Sequence, residues 1–289
     1  MIFYQISFGF YNKNNLDEAT DLVDNYLSRL SRNGQIDYDV TIVPWQKQVV
    51  AYVNALGLEA DQLRSHSVAG KNYLEKLEKF FKQKPIWNCN EDFPPKQKAI
   101  WKNASFLYLF TNNFHRDSPL HRGDNNDMIP LYRVPITDNI RDDIYYWQGY
   151  YREWDNIWLG SDKFEITAYR MLADPRSELS LRGRESCLAI EKATGIPVYY
   201  YLLRYFGRKG ENEKQRKCPC CGNSWFVEHP QQSIYKPKLF YQFDFQCPNC
   251  RLVSNLADGE IKSRYAKIGE YHTSQNYETK KEIEMETET

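Results

Sequence analysis

The sequence has no surplus of either charge: 38 Lys and Arg stand against 38 Asp and Glu in 289 residues. That balance excludes a chain that coats nucleic acid along its whole surface, because affinity for phosphate needs a local excess of cations. Any such site must be confined to one region. The chain also lacks an apolar run near the roughly 18 to 20 residues that a membrane-spanning helix needs. Its start, MIFYQISFGF, lacks the basic flank and small-residue cleavage site of a secretory leader. A cytoplasmic protein with no membrane partner is expected. Glycine and proline are sparse, at 14 and 13 residues, which excludes collagen-like and proline-rich chains. There is no internal repeat of about 20 to 50 residues, so solenoids are excluded as well. What is present is 42% hydrophobic and 15% aromatic, enough for a core and too apolar for disorder.

Charge is balanced only in total. Residues 1–203 carry 24 basic and 26 acidic side chains, 204–268 carry 12 and 6, and 269–289 carry 2 and 6. A basic module is therefore expected near the C-terminus, entered through the polar run GRKGENEKQRK and followed by an acidic tail with little to bury. The predicted division is 1–206, 207–268 and a disordered 269–289.

In the first 85 residues two periods alternate. Ile2 to Phe10 reads as a strand, and Leu16, Ala19, Val23, Leu27 and Leu30 fall on one helical face ended by Asn33-Gly34. Ile36 to Ile42 alternates as a half-buried strand, Val49 to Val53 as another, and Tyr73, Leu74, Leu77 and Phe81 mark a second helix. The expectation is an α+β fold opening with a β-α-β-β-α unit of ferredoxin-like kind and continuing in a helical extension. Ser105 to Phe110 and Ile129 to Ile136 read as strands around an 18-residue polar loop. The stripe Ile140, Ile144, Trp147, Tyr151, Trp154, Trp158 reads as a buried helix face. Asp174-Pro175 is expected to cap a helix that Gly195 stops, and Val198 to Phe206 to form a central strand.

Seven cysteines are too few and too uneven for a disulfide framework. Cys89 and Cys187 stand alone, whereas Cys218, Cys220, Cys221, Cys247 and Cys250 fall within 33 positions. CPCCG and CPNCR each offer two thiols in C-P-x-C form, a turn that points backbone N–H groups at the sulfurs and lets both hold one ion. Two such pairs supply four ligands for a tetrahedral structural Zn²⁺ with no open position to activate water. A single zinc ribbon is predicted, with metal ligands Cys218, Cys221, Cys247 and Cys250, leaving Cys220 as the variable residue of its turn. Ser224 to Glu228 and Leu239 to Gln246 would be its strands, with Phe240, Phe243 and Phe245 over the metal.

The stretch from Ser177-Glu178-Leu179-Ser180 through Gly183-Arg184, Cys187, Glu191, Thr194-Gly195-Ile196-Pro197 and Tyr199-Tyr200-Tyr201-Leu202 to CPCCG, Trp225 and FQCPNCRLVSNLA resembles a bacterial family of uncharacterised zinc-ribbon proteins. That family is described as a candidate nucleic-acid binder. The resemblance implies the same four cysteine ligands and brings no catalytic residue.

Three functions compete. Nucleic-acid binding would use Arg208, Lys209, Arg216, Lys217 and Arg251, cations that flank the two cysteine pairs. Protein docking, including inhibition of a partner, is the alternative, because zinc ribbons also serve as docking modules and 22 Tyr supply anchors. Catalysis is the weakest. The loop Asn112 to Asp127 holds His115, Asp117, His121, Asp124 and Asp127, but without the helix or elbow that a metalloenzyme or acyl-transfer motif requires. A non-enzymatic nucleic-acid-binding protein is the expected function.

Overall fold

The computed structural model describes residues 1–90, 100–115, 117–228, 243–257, 259, 261–262 and 264–272. The N-terminal elements are β1 (Ile2–Phe10), α1 (Leu16–Asn33), β2 (Thr41–Trp45), β3 (Gln48–Ala55), α2 (Val68–Phe81) and β4 (Ile86–Cys89). The strands form one sheet in the order β2-β3-β1-β4, every neighbouring pair antiparallel. Alternation along β1 sends Ile2, Tyr4, Ile6 and Phe8 to a single face, where Ala19, Val23, Leu27 and Leu30 of α1 and Leu77 and Phe81 of α2 complete the core. Ser67 caps α2 by accepting the Gly70 N–H, and Gly34 ends α1 in the left-handed conformation. The expected strand at Ile36 to Ile42 begins later, at Thr41. Ile36 makes only an isolated bridge to Ala55, because Asp37 folds back to receive the Asn54 and Asp39 N–H groups.

The second layer contains β5 (Leu107–Leu109), β6 (Leu120–Arg122), α3 (Asp138–Gly160), α4 (Glu165–Ala173), α5 (Glu178–Thr194), β7 (Val198–Tyr201), the one-turn α6 (Glu211–Lys214), β8 (Phe245–Cys247) and β9 (Leu252–Ser254). Its sheet runs β6-β5-β7-β9-β8; β5, β7 and β9 are parallel, and the two edge strands are antiparallel. Leu107, Leu109, Val198, Tyr200 and Leu252 face the helices, meeting Ile144, Trp147 and Tyr151 of α3 and Leu179, Cys187 and Ile190 of α5. Helix α5 approaches β7 so closely that a Cβ at Gly183 would lie 2.2 Å from the Tyr200 ring. Only glycine fits there. The other sheet face carries Tyr108, Tyr199 and Val253, with Phe106, Phe110, Tyr201 and Phe243 packed on them.

Three local expectations are corrected. The polar loop contains β6, a short strand invisible to periodicity because two of its three residues are His121 and Arg122. Ile129 to Ile136 is not a strand; it is largely irregular and includes a 3-10 turn at Leu131–Arg133 started after Pro130. Helix α5 starts at Glu178, capped by Ser177, since Asp174 instead accepts the Arg176 N–H in a turn before it.

The stretches 239–242 of the expected ribbon strand and 273–289 of the expected tail lie outside the described residues. Residues 269–272 pack on the body: Gly269 and Glu270 are buried. No helix among the described residues is long and apolar enough to cross a membrane.

Candidate metal centre

The first cysteine pair lies in a turn closed by the Gly222 N–H to Cys218 carbonyl bond at 2.8 Å and the Cys218 N–H to Asn223 carbonyl bond at 2.9 Å. Backbone N–H groups of Cys220 and Cys221 are directed at the Cys218 sulfur. The second pair forms the turn between β8 and β9. In both turns the residue after the last cysteine takes the left-handed conformation, with φ of +73° at Gly222 and +53° at Arg251. Glycine adopts it freely; arginine does so at a cost of about 1 kcal/mol. Arg251 is held there by a two-pronged pairing with Glu191 of α5, its Nη2 2.9 Å from Oε1 and its Nε 2.9 Å from Oε2, while Nη1 donates to the Pro248 carbonyl. The hydrogen bonds from Arg251 hold the Glu191 carboxyl below the usual carboxylate range.

These turns bring the sulfurs of Cys218, Cys221, Cys247 and Cys250 within 4.8 Å of one another, with Cys221 and Cys247 3.7 Å apart. Cys218 and Cys247 are buried, and Cys221 and Cys250 are half-buried. Such a set could hold one metal ion. Burial pushes the Cys218 thiol up to about 12, a cost to its thiolate that a bound dication would offset. Among the described residues this is the one group whose ligand atoms converge in that way.

Cys220 stands beside the set. Its sulfur is 3.6 Å from Nη1 of Arg184 on α5. A Cys220→Ser protein should keep its full metal content by elemental analysis; a loss of half or more would place Cys220 among the ligands.

The segment after the first turn runs beside β8, with the Gln246 N–H donating to the Trp225 carbonyl at 2.7 Å and the Val227 N–H to the Asp244 carbonyl at 2.8 Å. On its other side β9 joins β7 through Tyr200 N–H to Arg251 carbonyl and Leu202 N–H to Val253 carbonyl bonds, both 2.9 Å. The cysteine module is thus the edge of the main sheet. Phe245 lies against Trp225 in the interior, whereas Phe243 reaches the opposite sheet face and meets Tyr108.

The five cations selected from the sequence are not gathered into one open patch. Lys209 and Lys217 are exposed. Arg208 is exposed at 45% of its side chain but grips Glu270. Arg251 is bound to Glu191 as described. Arg216 is in the interior, 6% exposed, its guanidinium 4.3 Å from the Phe245 ring centroid and 4.8 Å from that of Trp225. It donates to Ser254 Oγ at 3.1 Å and lies 3.5 Å from Glu213. Glu213, also buried, makes a double hydrogen bond of 2.8 and 2.9 Å to Arg204. Burial opposes the Glu213 charge, but the Arg204 hydrogen bonds and charge outweigh it and hold the carboxyl below its usual range. The roles of Glu191 and Glu270 were not visible in the sequence, since no spacing rule links residues about 60 apart; Glu213 is only nine positions from Arg204, but its burial is hidden within a polar run.

The loop residues His115 to Asp127 serve separate local ends. Asp124 binds Arg122 and the Ser105 N–H, and His121 stacks on Tyr108 with 5.1 Å between centroids.

With the geometry in place, comparison shows two matches to domains of unknown function, DUF2310 over residues 101–203 and DUF8594 over 207–258. An uncharacterized protein of Haemophilus influenzae is 36% identical over 168 residues, which is 58% of this chain and 79% of that protein. The chain belongs to its family. A second uncharacterized H. influenzae protein is 35% identical over 168 residues, where the match spans 61% of its length. No solved structure matches the chain. The first of the two family domains spans β5 to β7, and the second contains all four cysteines.

Proposed function

We propose that this family member is a cytoplasmic, non-enzymatic zinc-ribbon protein that binds nucleic acid through its C-terminal module. The convergence of four cysteine sulfurs carries the metal part of that reading. Zn–S bonds of about 2.3 Å at tetrahedral angles require sulfurs about 3.8 Å apart, and Cys221 and Cys247 stand at 3.7 Å. Zinc bound by all four has no vacant position, so its role is to hold the module together. The antiparallel segments around the two turns suit a zinc ribbon whose last strand, β9, also belongs to the main sheet. The order β2-β3-β1-β4 with two covering helices suits a ferredoxin-like unit at the N-terminus.

For the nucleic-acid part, the support is that Arg208 and Lys217 line one groove and that these two and Lys209 are exposed. Arg216 and Arg251 act in this reading as internal supports for the two turns rather than as phosphate contacts. Binding of a fluorescent single-stranded oligonucleotide should weaken with salt by about 0.7 log units per log unit for each phosphate contact. Lys209→Glu with Lys217→Glu should abolish it while zinc is retained. Absence of binding to single- or double-stranded DNA or RNA at near-physiological salt would reject this partner.

A protein partner is favoured by one observation. Leu181 and Leu188 of α5 are 47% and 61% exposed and border a groove of about 290 Å³ that reaches Cys250 and Arg251. Capture of a protein from nuclease-treated lysate, lost on Leu188→Glu, would support that alternative.

A further inference from the structure

The groove beside the first cysteine turn is lined by Arg208, Asn212, Gln215, Arg216 and Lys217, and has a volume of about 290 Å³. Glu270 and Tyr271 form its remaining wall. Glu270 is 62 residues from Arg208 and yet meets it squarely. Arg208 donates through Nε at 2.6 Å to one carboxylate oxygen and through Nη2 to the other. Glu270 also lies 3.6 Å from Arg204. A carboxylate gripped in this way has the geometry in which arginine grips a phosphate.

The charges around the groove are unequal. Arg204, Arg208, Arg216 and Lys217 are opposed by Glu213 and Glu270, and Glu213 is committed to Arg204. Glu270 is therefore the anion that balances Arg208. It arrives on a strap that includes the 3-10 turn Tyr265–Lys267, pinned by Arg204 donating to the Ala266 carbonyl at 2.7 Å. Beyond Glu270, the Tyr271 ring covers Gly222 so closely that a Cβ on that glycine would lie 2.9 Å from it. Arg208 itself faces solvent at 45% exposure, so an incoming anion can reach its guanidinium even though Glu270 is only 11% exposed.

We infer that the Arg208–Lys217 groove is a phosphate-binding site and that Glu270 is its built-in competitor, a carboxylate that a phosphodiester displaces when ligand binds. The inference rests on the nucleic-acid reading above and adds to it the contact residue and its regulation. Affinity is then set by exchange of one anion for another rather than by filling an empty site.

The test uses the full chain with two probes, inorganic phosphate followed through the Arg208 Nε–H signal by NMR, and a fluorescein-labelled single-stranded oligonucleotide. Glu270→Gln should tighten both about three- to tenfold at low salt, with the gain fading as salt rises. Arg208→Gln should weaken oligonucleotide binding in the native background and erase the gain when combined with Glu270→Gln. This second substitution tests the same contact even if Glu270→Gln perturbs the fold. Oligonucleotide binding that is indifferent to both substitutions would overturn the inference while leaving the nucleic-acid reading intact. Phosphate binding tightened by Glu270→Gln, with no oligonucleotide bound by any form, would support the anion site and reject nucleic acid. Phosphate binding unchanged or weakened by Glu270→Gln would overturn the competitor role.

Discussion

A Cys247→Ser protein is expected to bind no stoichiometric metal and to lose the cysteine module as a folded unit. Structural four-ligand sites of this size contribute about 10 kcal/mol or more to folding, far more than the residual packing of Trp225 and Phe245 can replace. The damage should spread along a defined route. The Tyr200 and Leu202 N–H groups donate to carbonyls of Arg251 and Val253, so their hydrogen exchange should accelerate together with that of the module. The first sheet has its own core of Ile6, Val23, Leu27 and Val53, and its amides should stay protected. Elemental analysis with hydrogen exchange checks both statements. A variant retaining one metal, or exchange rising equally in both sheets, would contradict them.

Glu213→Gln is expected to cost about 3–5 kcal/mol in urea unfolding at neutral pH, the usual penalty for removing one partner of a buried ion pair. The large value follows from what is left behind: Arg204 and Arg216 with side chains 1% and 2% exposed and no committed carboxylate between them. The pH dependence has a fixed sign. The Glu213 carboxyl in the folded protein lies below its ordinary value of 4.5, so it contributes stability above that pH and loses it as pH falls through the folded value. The gap between native and variant stability should therefore be full at neutral pH and narrow in acid. A gap that widens below pH about 4 would show that the pair is not the cause.

Much of the first sheet was readable from side-chain period alone, because Ile2, Tyr4, Ile6 and Phe8 alternate cleanly and α1 presents a continuous apolar stripe. The cysteine set was readable for a different reason: C-P-x-C fixes a local turn that needs no knowledge of distant chain. What escaped was non-local. The run GRKGENEKQRK looks like a solvated linker, yet its Glu213 is buried against Arg204, which precedes the run, and polarity does not reveal burial when the partner is also polar. Likewise Leu252–Ser254 is too short to announce a strand, and its parallel pairing with β7, Tyr200 opposite Leu252, depends on distant chain. His121 read as a loop residue because a three-residue strand leaves no period to detect.

The placement of β9 also orders events during synthesis. When Val198–Tyr201 leaves the ribosome it can pair with β5 on one side, but its other edge must wait until Leu252–Ser254 has followed and the two cysteine turns have closed. For that interval the nascent chain carries an open strand edge bearing Tyr199, Tyr200 and Tyr201, the kind of edge on which partly made chains stick to one another. On the proposed metal-binding reading, supply of the ion at that moment governs yield as well as stability. Starving cells of it should fill inclusion bodies with this protein before it lowers the quality of the soluble fraction.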